Sequence, residues 1–151
     1  MFEVLTNDLK IFQLDENYVS KSLFFQNILS FPASSEPIQI LINSNTLDLI
    51  YEFMKKDNHV LQKNFNPLEI NFSSEFLNCF DHLSLPDLVG VCNAANYLEY
   101  PFLFELTCKQ LSIRVSQNPE LMDSGILGDG RVTDEDFDRI TNDFEWLSDN
   151  L

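Results

Sequence analysis

The residues that could do chemistry are few and poorly grouped. Cys79-x-x-His82 has the spacing of a zinc-ligand pair, with Cys92 and His59 as further donors on paper. A structural zinc site takes four ligands, usually in two close pairs, and only one such pair exists. A packed cysteine beside a surface histidine is therefore the expectation. Gly128-Asp129-Gly130-Arg131-Val132-Thr133-Asp134-Glu135-Asp136-Phe137 has the outline of the second half of a calcium-binding loop. With Gly130 at the loop's obligatory glycine, Asp129 and Asp136 fall at ligand positions. Gly125 and Leu127 then stand where the first two carboxylates belong, so the hard cation loses two of its oxygens. No metal and no cofactor are expected. There is no G-x-S-x-G, no phosphate-cradling glycine loop and no H-E-x-x-H, so the chain does not read as an enzyme.

The elements that must position any site can be traced along the 151 residues. Phe2–Thr6 and Leu9–Leu14 read as a hairpin about the turn pair Asn7-Asp8. Asn17 is placed to cap one helix reaching about Phe31, with Val19, Leu23, Phe24, Ile28 and Phe31 inward. After the Pro32–Pro37 break, Ile38–Ile42 reads as a third strand. Ser44 or Asn45 then caps a helix with Leu47, Ile50, Tyr51 and Met54 buried, closed by Lys55-Lys56 in the manner the helix dipole favours. His59–Pro67 reads as surface loop, and Ser73 opens a short helix. Ser84-Leu85-Pro86-Asp87 carries helix-start grammar for a segment with Leu88, Val89, Val91, Cys92 and Ala95 inward. Gly90 sits inside that helix at a cost of about 1 kcal/mol relative to alanine, for no reason visible in the sequence. Pro101 suits the first turn of the next helix, in which Leu103, Leu106, Thr107 and Leu111 recur at helical spacing. Beyond Ser116-Gln117-Asn118-Pro119 come one helical turn at Glu120–Met122 and a link with Gly125, Gly128 and Gly130. A last helix is capped by Thr133, with Phe137, Ile140, Phe144, Trp146 and Leu147 forming an apolar stripe.

Bulk composition narrows the partners. The chain is 44% apolar with 14 Phe, ample for a core, and a chain of this size buries about 70% of its unfolded surface. Nine basic against 24 acidic residues give a net charge of −15. That field repels phosphate backbones and anionic lipid, so neither nucleic acid nor a membrane surface is an expected partner. Three cysteines, Cys79, Cys92 and Cys108, without close sequence pairing suit a reduced compartment, where they pack as small apolar groups. No signal peptide is visible at Met1-Phe2-Glu3-Val4, and no apolar run approaches the roughly 20 residues of a membrane span. A cytoplasmic and nuclear location is expected.

The most distinctive stretch is Ala94-Ala95-Asn96-Tyr97-Leu98-Glu99, followed by Tyr100-Pro101, a short apolar run and Thr107-Cys108-Lys109. Its physics says that two helices meet at a packed corner. Its wording resembles the Skp-type adaptors of SCF (Skp–cullin–F-box) ubiquitin ligases, a family on the BTB/POZ fold. Ser22–Leu29 is similar to that family's first-helix run. Ile70–Leu77 resembles the stretch before its central helices, with Phe72 where a tryptophan is usual. Phe144-Glu145-Trp146 stands where the family carries a C-terminal tryptophan. The resemblance spans nearly the whole chain.

It implies an α+β architecture. A BTB/POZ-like domain over 1–115 would pack a small three-stranded sheet with helices, and a helical F-box-binding extension would follow over 116–151. It implies a non-catalytic bridge between a cullin and F-box substrate receptors. By position, Asn96 and Tyr97 would face the cullin. Val89, Cys92, Cys108, Leu111, Val115, Phe137, Ile140, Phe144 and Trp146 would face the F-box. Read without the resemblance, Asn96-Tyr97 is a helix end with a packed ring, and the terminal stripe packs on the chain's own helices. Two other functions stay open: an F-box partner in a cullin-independent, kinetochore-type complex, and a self-associating BTB module. A weak homodimer is expected when the chain is unbound.

Overall fold

The computed structural model describes residues 1–61, 63, 65–123, 135, 138 and 139. Strand β1 (Phe2–Leu5) pairs antiparallel with β2 (Ile11–Leu14), Phe2 opposite Leu14 and Leu5 opposite Ile11. It pairs in parallel with β3 (Ile38–Gln39), which gives the order β2-β1-β3. Helices α1 (Glu16–Val19), α2 (Leu23–Leu29), α3 (Ser44–Lys56), α4 (Ser74–Leu77), α5 (Leu85–Tyr97) and α6 (Pro101–Gln117) complete the body, with 3-10 turns at Pro67–Glu69 and Pro119–Asp123. The α+β class with a three-stranded sheet is as expected.

Several local expectations change, the simplest being that the third strand stops at Gln39 rather than Ile42. The hairpin turn is not a two-residue Asn7-Asp8 turn. Strand pairing stops at Leu5 and Ile11, Thr6 N–H donates to the Lys10 carbonyl, and Leu9 takes a positive φ of 62°. Asp8 is freed from turn duty and reaches the start of α3, where its carboxylate accepts from Ser44 N (2.8 Å) and Ser44 Oγ (2.6 Å). Those hydrogen bonds, Ser44's first and Thr6's next, hold the Asp8 carboxyl well below its usual range. Asn43, ahead of both expected caps Ser44 and Asn45, is the cap observed and accepts from Thr46 N.

The single helix expected from Asn17 to Phe31 is two. Asp15 caps α1, and Ser22 caps α2 by accepting from Phe25 N. The break resets the helical phase, so Val19 and Phe25 are fully buried while Leu23 is partly open and Phe31 is 71% exposed. A tertiary contact explains the break. Leu23 N–H donates to the Glu99 carbonyl, Phe24 N–H and Ser22 Oγ–H to the Leu98 carbonyl. The N-terminus of α2 thus abuts the C-terminal carbonyls of α5, each supplying the groups the other leaves unpaired.

The core lies between α3, α5, α6 and the inner face of the sheet, with Val4, Leu14, Ile40, Leu47, Ile50, Met54, Leu88, Val91, Leu103 and Leu106 all buried. Phe53, absent from the expected stripe of α3, centres an aromatic cluster. Its ring lies 5.6 Å from Phe76, 5.6 Å from Phe80, 6.1 Å from Tyr100 and 6.2 Å from Phe102. Arg114 of α6 ties this region down by donating to the carbonyls of Leu83 (2.6 Å) and Phe80 (2.7 Å) ahead of α5.

Candidate functional site

The corner between α5 and α6 is built by backbone hydrogen bonds. Leu98 ends α5 in helical conformation and Glu99 turns to a positive φ of 49°. Tyr100 N–H then donates back to the Ala95 carbonyl (2.9 Å) and Glu99 N–H to the Asn96 carbonyl (3.1 Å). This 6→1 and 5→2 pair is a Schellman closure, made here without the usual glycine. Pro101 follows at the first turn of α6.

Tyr100, next after the left-handed residue, is driven inward and its hydroxyl donates to the Asp57 carboxylate. Asp57 is buried too, and it also accepts from His59 N (2.8 Å) and His59 Nδ1 (2.6 Å). Burial first, then the Asp57 charge, pushes the Tyr100 phenol far above its usual range, so it stays a donor. Lys21, between α1 and α2, donates to the carbonyls of Met54 and Asp57 at the end of α3. Burial lowers its pKa, against the pull of Asp57. His59 lies flat on Phe102, ring centres 4.0 Å apart. These groups line a cleft of about 270 Å³. A tyrosine, aspartate, histidine and lysine together look like a proton relay, but the hydroxyl, carboxylate and ammonium are committed to holding α3, the α1–α2 link and the corner. Nothing in residue spacing announced this strut, since Lys21, Asp57 and Tyr100 are brought together only by the fold.

On the outside of the corner Asn96 is exposed and Tyr97 is half-buried. The Tyr97 ring packs at 5.1 Å on Phe24, and its hydroxyl accepts from Leu41 N at 3.4 Å. Leu41 itself is 74% exposed. The result is a rim of one apolar side chain, one phenol and one amide beside a corner closed by backbone hydrogen bonds. The packed-ring reading therefore holds, with Tyr97 left partly exposed.

The second group falls along the two helices. Val89 is half-buried and Cys92 buried on α5; Cys108, Leu111 and Val115 are half-buried on α6. Spacings of three, and of three and four, put each set on one helical face. The structure brings the two sets together, because α6 folds back on α5 so that Cys92 and Cys108 touch, sulfur to sulfur 3.8 Å. The sequence showed no such pairing of cysteines. Phe137, Ile140, Phe144 and Trp146, with the calcium-loop outline, lie outside the described residues. No group of three or more candidate metal ligands occurs among the described residues, nor any helix long and apolar enough to cross a membrane.

No protein-family model matches the chain. Against curated proteins, it is 27% identical over 131 residues to SKP1-like protein 5 of Arabidopsis thaliana, covering 86% of this chain and 76% of that protein. The match bears out the resemblance to the Skp-type adaptors.

Proposed function

We propose that this Skp1-like chain is a non-catalytic adaptor bridging a cullin scaffold to F-box substrate receptors in a ubiquitin ligase of the SCF kind. The observation that carries the reading is the α5–α6 corner. One helical hairpin offers a rim at its bend (Asn96 and Tyr97, with Leu41 of the β3–α3 link bonded to Tyr97) and, further along, a paired stripe (Val89, Leu111, Val115 with Cys92 and Cys108). A bridge needs two docking surfaces that do not move relative to each other, and the Schellman closure fixes both to the same backbone. In this reading the rim takes the cullin. The stripe takes the F-box together with Phe137, Ile140, Phe144 and Trp146. Residues 1–115 form the BTB/POZ-like domain and 116–151 the extension, acting in cytoplasm and nucleus.

Pull-down with a cullin N-terminal region and an F-box protein tests it. Capture of both supports the bridge. Capture of the F-box protein alone indicates the cullin-independent complex, and self-association alone a BTB oligomerisation module. Asn96→Lys is the sharper probe, because Asn96 is exposed whereas Tyr97 also holds Leu41 and Phe24. A cullin contact there predicts at least a tenfold loss of cullin affinity, with F-box binding and melting temperature unchanged. Unchanged cullin affinity would remove the rim from the interface.

A further inference from the structure

Cys92 and Cys108 are free thiols in contact across the α5–α6 packing, 3.8 Å between sulfurs, although 16 residues apart in sequence. A disulfide requires about 2.05 Å, so closure asks each sulfur to swing by roughly 1 Å. Cys92 is 7% exposed and faces inward, while Cys108 is the more exposed of the two and so the sulfur that a small reagent meets first. We propose that this pair is a redox modification site, at which a small hydroperoxide converts the two thiols to an intrachain disulfide stapling α5 to α6.

The reaction balances without further partners. The Cys108 sulfur attacks the peroxide O–O bond, which breaks to give a sulfenic acid and, after proton transfer, water (or the alcohol from an organic hydroperoxide). The Cys92 sulfur then displaces the sulfenic oxygen as a second water while the S–S bond forms. Two thiols lose two electrons and the peroxide gains them. Burial first, then the neighbouring Cys92, pushes the Cys108 thiol up to about 12. Cys108 is thus protonated and slow to react at neutral pH, since the thiolate is the nucleophile. In a reducing compartment such a bond is transient rather than structural. Because both sulfurs underlie the proposed F-box stripe, the staple would weaken F-box docking; that consequence rests on the function proposed above.

The test uses the full chain, reduced, then treated with hydrogen peroxide and digested after acidic residues. Cleavage after Glu75, Asp81, Asp87, Glu99 and Glu105 puts Cys79, Cys92 and Cys108 on separate fragments. The expected result is one linked species joining the Cys92 and Cys108 fragments, lighter by two hydrogens, with Cys79 still free and the link reversed by dithiothreitol. Its rate should rise about tenfold per pH unit between roughly pH 7 and 9. A link through Cys79, a covalent dimer, or separate oxidation of the two sulfurs would overturn the site, as would no reaction at the higher pH. An F-box protein is then titrated into reduced and oxidised chain. Weaker binding to the oxidised form supports the staple's effect, and equal binding overturns it. No binding even to the reduced chain would sink the adaptor reading while leaving the modification site standing.

Discussion

At the scale of single residues, two positions carry measurable consequences. Gly90 lies mid-helix in α5, and a Cβ built there meets nothing within 4 Å. Close packing therefore does not explain the glycine, and Gly90→Ala is expected to raise unfolding free energy by about 1 kcal/mol in urea titration. A loss of stability would show that the backbone at that point needs the smaller residue. Tyr100 is the opposite case. Its hydroxyl is one of the donors to a buried carboxylate. Tyr100→Phe keeps the ring against Phe53 but leaves Asp57 short of a partner, at a cost of about 1.5–3 kcal/mol. Denaturation of the variant checks this, and a change under 0.5 kcal/mol, where surface substitutions usually fall, would mean that Asp57 is satisfied without it.

Among elements, the coupling of the hairpin loop to α3 has a pH signature. The Asp8 carboxyl is held below its usual value of 3.8 by Ser44 and Thr6. A carboxyl depressed in the folded state contributes stability that is fully present above the unfolded pKa. That contribution disappears as pH falls through the folded value. Wild type should therefore exceed Asp8→Asn in stability by a constant margin from neutrality down to about pH 4–5, and the two curves should converge below that. A margin that persists at the lowest accessible pH would assign the effect to shape rather than charge. The same elements show why α1 and α2 are separate. Ser22 and the first N–H groups of α2 are engaged with the end of α5, a contact 76 residues away in sequence.

For the whole molecule the dominant fact is charge. With a net charge of −15, association with a basic partner surface is steered at long range, and added salt screens it. If the cullin of the function proposed above presents such a basic surface, stopped-flow measurement of its association from about 0.02 M to about 0.5 M salt should show the on-rate falling tenfold or more, with dissociation little changed. A flat profile would confine the acidic charge to a role in solubility.

The sequence alone determined most elements and the corner, because those depend on local grammar. Ser84 opens α5 by accepting from Asp87 N–H, Pro101 brings a preset φ and no N–H to the start of α6, and Lys55-Lys56 place positive charge at the end of α3, all within a few residues. The packed corner at Asn96-Tyr97 was legible for the same reason, whereas the candidate faces on α5 and α6 came only from the family resemblance. What tertiary structure decided is everything that joins distant residues. The phase of α2, and hence Phe25 rather than Phe31 inside, follows from hydrogen bonds to Leu98 and Glu99. The Lys21–Asp57–Tyr100 strut and the Cys92–Cys108 contact depend on how helices cross, and no spacing along the chain encodes a crossing. Periodicity reports which side of a helix is apolar. Only packing settles which neighbour that side meets, because burial is non-directional and many partners satisfy it equally until the whole core closes.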